Sequence, residues 1–224
     1  GGGTYRLGTV TSAEASPALG YLFTGWTGDA SGTDNPLALV MDGNQTLGAT
    51  FAQDIRDPDQ DGLTNYRELV LHGTDPNDAD SDGDGFNDGL EISESTNPNG
   101  AQDYPTRVLA VTNTDNGTIT GGGTYRLGTG AILTASPGLG YVFTTWTGDG
   151  AGNNNPLALV MYENQTVGAV FGQDQRDSDG DGLTNYQELV VHGTNPNNAD
   201  SDGDEVNDNV ELADETNPND GNDY

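Results

Sequence analysis

Short stretches in which apolar and polar residues alternate recur along the chain, separated by turns that contain Gly, Asn or Pro. In the second half they read AILTASP (131–137), YVFTTW (141–146), LALVM (157–161) and TVGAVF (166–171). Alternation with a period of two at hairpin spacing is typical of half-buried β-strands. The pattern predicts four or five short strands in each half of the chain and a mainly β fold with small sheets.

An Asp-rich stretch with a different apolar pattern follows each group of strands. Leu63, Tyr66, Leu69 and Val70 are spaced for one face of a helix, and His72-Gly73 is typical of a helix C-terminus. Pro76 cannot continue a helix, so the chain must turn before the next Asp-rich stretch. We therefore predict short helices joined by turns.

The two patterns repeat together with an offset of 120 residues, because GGGTYRLG at residue 1 returns at residue 121. No insertion interrupts the alignment, and about two-thirds of the aligned positions are identical. Composition divides each period in two. We predict β modules at residues 1–53 and 105–173, and Asp-rich modules at residues 54–104 and 174–224.

Residues 105–120 have no counterpart in the first period, whose sequence starts at Gly1. They contain RVLAVTNTDNGTIT (107–120), in which an Asn116-Gly117 turn signal separates two strand-like runs. We expect an additional strand here in the second β module only. The expectation that follows is a continuing array, or a head-to-tail assembly of copies in which the missing strand of the first module comes from elsewhere.

The Asp-rich stretches have the spacing of twelve-residue calcium loops. Such loops bind Ca²⁺ through oxygens at positions 1, 3, 5, 7, 9 and 12, with Gly at position 6 where the backbone turns sharply. Position 7 contributes its carbonyl, and a Glu at position 12 contributes both carboxylate oxygens. The predicted ligands of the four loops are Asp57, Asp59, Asp61, Leu63, Asn65 and Glu68; Asp80, Asp82, Asp84, Phe86, Asp88 and Glu91; Asp177, Asp179, Asp181, Leu183, Asn185 and Glu188; and Asp200, Asp202, Asp204, Val206, Asp208 and Glu211.

The alternative to calcium binding is a solvated acidic linker. Two carboxylates about 4 Å apart repel by about 4 kcal/mol at an effective dielectric of 20, and each loop brings several together. A linker also has no need for the apolar residue at position 7 or the Glu at position 12. We therefore predict about four or more Ca²⁺ ions. The fourth loop has Glu205 at position 6, so either its turn differs or Glu205 accepts a strained backbone, and we expect weaker or altered binding there.

Charge and composition restrict the partners further. The formal net charge is −30, with 36 acidic and six basic residues, and this excess argues against nucleic acid or an anionic membrane as a partner. The chain has no Cys, so metal would have to do the work of disulfides. It also lacks an apolar run of the length of a membrane span.

Two family resemblances cover nearly the whole chain. The Asp-rich modules resemble bacterial thrombospondin type 3 repeats through DxDxDGLTNYxE, HGT(D/N)PN and DADSDGD. The β modules resemble the divergent internalin B-repeat through GGGTYRLG, GYxFTxWTGD and NPLALVM. These resemblances imply β-grasp-like modules that alternate with EF-hand-like calcium modules, and an extracellular or cell-surface location in bacteria.

Other residue patterns give little support to an enzyme. There is no Cys, no Lys and no Ser/His/Asp arrangement, and His72 and His192 each lack a second His at ligand spacing. Trp26 and Trp146 fit the centre of a small core better than a sugar-stacking platform. Asn44, Asn116 and Asn164 match the glycosylation acceptor pattern, so glycans stay possible partners. We expect a structural, calcium-stabilised surface rod or filament; the alternatives are an adhesin or glycan-binding module and a spacer in a large secreted enzyme.

Overall fold

Strands come first and short helices second in each half of the chain. The computed structural model describes residues 2–112 and 115–223, and the chain divides into two compact units, Gly1–Pro105 and Thr106–Tyr224. Gly1, Tyr224 and residues 113–114, which belong to the predicted additional strand segment, lie outside the described residues. The four module boundaries inferred from the sequence stay a prediction.

The β module of the first unit contains two separate two-stranded antiparallel sheets. Its elements are β1 (Val10–Ala13), β2 (Tyr21–Gly28), β3 (Leu37–Val40) and β4 (Leu47–Gln53), followed by a π-helix (Arg67–His72) and an α-helix (Asp88–Glu94). β1 pairs with β3, and β2 pairs with β4. Trp26 in β2 is the one large apolar side chain that is buried among the described residues of these four strands.

The β module of the second unit has three more strands. Its elements are β5 (Thr106–Thr112), β6 (Gly117–Thr120), β7 (Gly123–Arg126), β8 (Gly130–Pro137), β9 (Tyr141–Gly148), β10 (Leu157–Val160) and β11 (Gln165–Gln173), followed by a π-helix (Gln187–His192) and an α-helix (Asp208–Asp214). One sheet has the order β7-β5-β11-β9 and the other has the order β10-β8-β6. β5 and β11 are parallel, and the other pairs are antiparallel.

The core of the second unit lies between these two sheets. It contains two buried aromatic side chains, Trp146 and Phe171, and the Trp146 indole N–H donates to the Asn154 carbonyl at 2.8 Å. Leu133 and Met161 are fully buried beside it. The interpretation of the tryptophans as core residues is thus confirmed, since Trp26 makes the equivalent bond to the Asp34 carbonyl at 2.8 Å.

The turn signal at Asn116-Gly117 does not produce a β-hairpin. β5 pairs with β7 and β11 in one sheet, whereas β6 pairs with β8 in the other. The segment therefore contributes one strand to each sheet. The buried core residues that it supplies are Leu109 from β5 and Ile119 from β6, and the partly buried Val111 of β5 packs against the same core. The sequence predicted the strand-forming residues but not their separation, because local turn chemistry does not report which sheet takes each strand.

The short helices end as predicted. Gly73 has a left-handed backbone (φ 74°), and its N–H donates to the Glu68 carbonyl at 2.6 Å. This bond spans five residues, so the segment is a π-helix, which the sequence did not predict. The fold as a whole is mainly β with short helices, as expected. None of the described helices is long and apolar enough to cross a membrane.

Candidate calcium sites

The aspartates at positions 1, 3 and 5 converge in all four loops. In each loop the three carboxylates lie within 4.8 Å of one another. In the second loop the Asp80 carboxylate accepts hydrogen bonds from the N–H groups of Gly83 (2.9 Å) and Gly85 (2.8 Å), which hold the loop closed. The side chain at position 1 therefore shapes the loop, and the alternate aspartates then face the same point.

The glutamates at position 12 are, together with Asp88 and Asp208, the least exposed carboxylates among the described residues. All four have 0% exposure, and within the described residues none of their carboxylate oxygens has a hydrogen-bond partner; they are Glu68, Glu91, Glu188 and Glu211. Burial, followed by the nearby aspartates, raises the pKa of Glu68 to about 7. An ionised carboxylate that is buried without a partner costs several kcal/mol, so a bound cation would stabilise the ionised form of these glutamates at neutral pH.

The same two causes act on the other three glutamates. The pKa of Glu91 and that of Glu188 are each raised to about 7, and the pKa of Glu211 is also raised. The possible metal ligands around each glutamate are oxygen atoms. Ca²⁺ prefers oxygen ligands, whereas softer metals prefer sulfur or nitrogen. The residues present thus fit a calcium ion in every loop, although the individual ligands stay a prediction.

The residues at position 7 are at least half-buried in all four loops. Leu63 is 2% exposed, and its N–H donates to the Asp61 carboxylate at 2.7 Å. The equivalent residues Phe86, Leu183 and Val206 are half-buried. The four position 7 side chains are thus shielded from solvent to different degrees, and Leu63 is the most buried of them.

Position 9 differs between the loops in what it contacts. Asp88 accepts hydrogen bonds from the N–H (3.0 Å) and the hydroxyl (2.7 Å) of Ser81, and its carboxylate also lies within 4.8 Å of those of Asp61 and Glu68. Asp88 was predicted as a ligand of the second loop, yet it lies beside the first loop as well. Asn65 instead donates its side-chain N–H to the Asp54 carboxylate at 2.9 Å.

The fourth loop keeps the turn of the other loops despite Glu205. The Glu205 backbone is left-handed (φ 77°), and its N–H donates to the Asp200 carboxylate at 2.8 Å, as the Gly85 N–H does to Asp80. Of the two alternatives stated from the sequence, the strained backbone is thus the observed one. Weaker calcium binding by this loop stays a prediction.

Position 4 also requires a left-handed backbone, which the sequence reasoning missed. Gly83, Gly180 and Gly203 have φ values of 74°, 84° and 83°, whereas the first loop has Gln60 at φ 66°. The signal was available, because three of the four loops have Gly at this position. The first and third loops therefore differ in backbone strain at position 4, since the first has Gln60 and the third has Gly180 there.

Comparison with known families supports both halves of each period. The model of the divergent InlB B-repeat domain matches residues 1–55 and 107–175, and that of the bacterial TSP3 repeat matches residues 57–79, 80–101 and 177–199. The resemblances inferred from the sequence are confirmed, in the alternating order predicted. No curated protein and no solved structure matches the chain.

Proposed function

Since the chain belongs to the divergent InlB B-repeat domain family and carries bacterial TSP3 repeats after those domains, we propose that it is a structural protein of an extracellular bacterial rod or filament. These families indicate a bacterial surface repeat protein with calcium-binding repeats. The proposed role is mechanical and involves no catalysis. Calcium, at the concentrations found outside cells, stiffens Asp-rich segments that would otherwise repel themselves.

The observation that carries this proposal is the set of four buried glutamates without hydrogen-bond partners. Each closes a loop of converging aspartates, so removal of calcium leaves several negative charges together in a site of low exposure. One ion in each loop, and so at least four in all, would compensate these charges. Calcium then acts between β modules as disulfides do in other small secreted domains.

Self-association is supported by the exposed core of the first β module. A cavity of about 260 Å³ there is lined by Trp26, Leu39, Met41 and Leu47 among others. The equivalent residues of the second module belong to, or pack against, the buried cluster that also contains Leu109 of β5 and Ile119 of β6. We define the open face as this cavity together with Phe51, whose ring is connected to Trp26 through Phe23 (ring centroids 6.0 and 5.3 Å apart).

Phe51 shows what the open face lacks. It is 42% exposed, whereas the equivalent Phe171 is 7% exposed. In the second module a Cβ added to Gly117 would lie 2.6 Å from the Phe171 ring, so β6 covers that ring closely. We propose that strands with the pattern of β5 and β6 cover the open face by strand addition, which would link modules into an array.

Thermal unfolding of the whole chain, with calcium and in calcium-depleted buffer, tests the calcium part of the proposal. Binding to the folded state alone raises the transition temperature, and a gain of about 2.7 kcal/mol is expected per site at 100 times Kd. A transition that does not move with calcium would refute it. The equivalent addition of Mg²⁺ serves as a control, because its smaller octahedral shell suits these loops less well.

The assembly part is tested with a synthetic peptide of residues 105–120. Calorimetric binding of one peptide per chain is expected, and a peptide with Leu109→Asp and Ile119→Asp should not bind. Electron microscopy then distinguishes a filament from an adhesin, since fibres with a regular axial repeat favour the former. Glycan-array binding by monomeric material without fibres would favour the latter.

A further inference from the structure

One residue joins each β module to the loop that follows it. Asp54 comes directly after β4 and is 5% exposed. Its N–H donates to the Gly20 carbonyl at 2.8 Å, and its own carbonyl accepts from the Tyr66 N–H at 3.0 Å. Its backbone is therefore bonded to a turn of the β module on one side and to position 10 of the first calcium loop on the other.

The Asp54 carboxylate is surrounded by donors. Arg56 donates to it from Nε (2.8 Å) and Nη2 (2.6 Å), and Asn65 donates from Nδ2 (2.9 Å). Hydrogen bonding to the Arg56 guanidinium is the main reason why the pKa of Asp54 lies well below its usual range. A buried carboxylate that stays ionised must keep its donors, so the amide of Asn65 is fixed in orientation.

Asn65 is at the same time the position 9 residue of the first loop. Its side chain is buried, and while Nδ2 binds Asp54, its Oδ1 has no hydrogen-bond partner among the described residues. The amide thus has one side committed to the β module and one oxygen available for a cation. Glu68, with both carboxylate oxygens unpaired and 0% exposure, independently indicates that a cation belongs in this loop.

The group that lies beside the position 9 side chain explains which residue type occurs at that position. In the second loop Asp88 faces the donors of Ser81, and an acceptor is needed. In the first loop the neighbour is the carboxylate of Asp54, and a donor is needed. An aspartate in place of Asn65 would put two carboxylates in contact, which is destabilising in a buried position.

The second unit repeats this arrangement. Arg176 donates to Asp174 at 2.8 and 2.6 Å, and Asn185 Nδ2 does so at 3.0 Å with its Oδ1 again unpaired. The rings of Tyr141 and Tyr186 pack edge to face beside it, with centroids 5.4 Å apart. The same pair in the first unit, Tyr21 and Tyr66, is 5.3 Å apart.

We propose that Asn65 and Asn185 are positioning residues through which a calcium ion in the first loop of each unit locks that loop onto its β module. The side-chain nitrogen binds the carboxylate at the end of the last strand, and the side-chain oxygen faces the ion. Calcium binding and docking of the loop are therefore one coupled event. This inference rests on the proposed calcium-stabilised function and names where the stabilisation enters the β module.

The test exchanges Asn for Asp at both positions in the whole chain, as Asn65→Asp with Asn185→Asp. Both tryptophans of the chain, Trp26 and Trp146, lie in β modules, so the fluorescence-detected melting transition reports on those modules. If Asn acts only as a ligand, the additional charge should preserve or increase calcium affinity, since Asp88 and Asp208 occupy the same position in the other loops. Coupling predicts instead about tenfold or greater loss of affinity at two sites, because a buried hydrogen bond to a charged group is lost.

Coupling also predicts that calcium raises the fluorescence-detected transition of this variant much less than that of the wild type. A swapped variant, Asp54→Asn with Asn65→Asp and the same exchange at residues 174 and 185, restores a donor opposite an acceptor and should recover the calcium response. Glu91→Gln with Glu211→Gln is the matched control, because it removes ligands from the loops whose position 9 residues, Asp88 and Asp208, accept from Ser81 and Ser201 instead of contacting Asp54 and Asp174. It should reduce calcium stoichiometry while the tryptophan response persists.

The outcomes separate the two proposals. If the wild type binds no calcium in calorimetry, the proposed function fails. If it binds calcium but the fluorescence-detected transition of the β modules does not respond, or if the Asn→Asp variant responds like the wild type, the coupling alone is overturned. Failure of the swapped variant to exceed the Asn→Asp variant would also overturn it.

Discussion

Substitution of Glu205 allows the backbone strain in a calcium loop to be measured directly. Its φ of 77° is in the left-handed region, where the equivalent residue Gly85 has a φ of 97°. Both residues donate their N–H to the position 1 aspartate at 2.8 Å, so the turn is the same in the two loops. The substitution Glu205→Gly should therefore relieve the strain without changing the turn.

The expected gain is the difference between two effects. A residue with a Cβ in the left-handed region costs about 1–2 kcal/mol. Gly loses more conformational entropy on folding, which offsets about 0.5–1 kcal/mol of that gain. The net stabilisation of the fourth loop should be about 0.5–1 kcal/mol. At Gly85 a Cβ would meet no atom within 4 Å, so Gly85→Ala should cost about the same amount without a steric clash.

Hydrogen exchange in saturating calcium measures this locally. The amides of Gly203 and Asp204, which donate to Asp200, should exchange about two- to fivefold more slowly in Glu205→Gly than in Glu205→Ala. Glu205→Ala is the control, since it also loses the charge but keeps the Cβ. Gly85→Ala should accelerate exchange in the second loop by a similar factor. Equal rates in the Gly and Ala variants at position 205 would show that the strain argument is wrong.

Three further outcomes are expected. In calcium-depleted buffer the melting temperature should fall as the pH rises from 5 to 8. In the folded chain carboxyls such as that of Glu188, whose pKa is raised to about 7, still hold a proton in this range, whereas the same carboxyls of the unfolded chain have already lost it. A melting temperature that rises with pH would contradict this. Glu188→Gln should mimic the protonated carboxyl, so calorimetry should find one fewer calcium ion, and the calcium-depleted protein should lose its pH dependence in part. Gly140→Ala should destabilise the second unit by about 1–3 kcal/mol in urea unfolding, because the added Cβ would lie 2.5 Å from a Val190 methyl. Gly193 has a similar φ but open space around it, so Gly193→Ala should lower the free energy of unfolding by less, and equal losses in the two variants would exclude the packing explanation.

The parts of the fold that could be predicted from sequence are those with local causes. Alternation predicted β2 and β9, and the twelve-residue spacing predicted that Asp57, Asp59 and Asp61 would converge. Glu68 was predicted as the closing ligand, and it is buried without a hydrogen-bond partner. Each of these follows from the backbone period or from a short loop, which a single sequence reports directly.

The parts that could not be predicted depend on contacts between distant residues. Asn65 was identified as a loop residue, yet its bond to Asp54 depends on how the helix packs on the β module, which loop spacing does not encode. β5 and β6 were predicted as strands, but their assignment to different sheets depends on partners more than 13 residues away. Asp88 was predicted as a ligand of the second loop only. Its position beside the first loop as well depends on packing between the two loops, which loop spacing does not report.

The hydrogen bond between Asn65 and Asp54 restricts which insertions and deletions of whole loops the chain can accept. Each TSP3 repeat spans about 23 residues, and loss of residues 57–79 would place the second loop directly after the first β module. Asp88 would then occupy the place of Asn65 and face the Asp54 carboxylate without a donor. Duplication or deletion of a single calcium loop is therefore penalised, whereas gain or loss of a whole 120-residue period leaves every junction intact. Arrays of this kind should vary in steps of the full period.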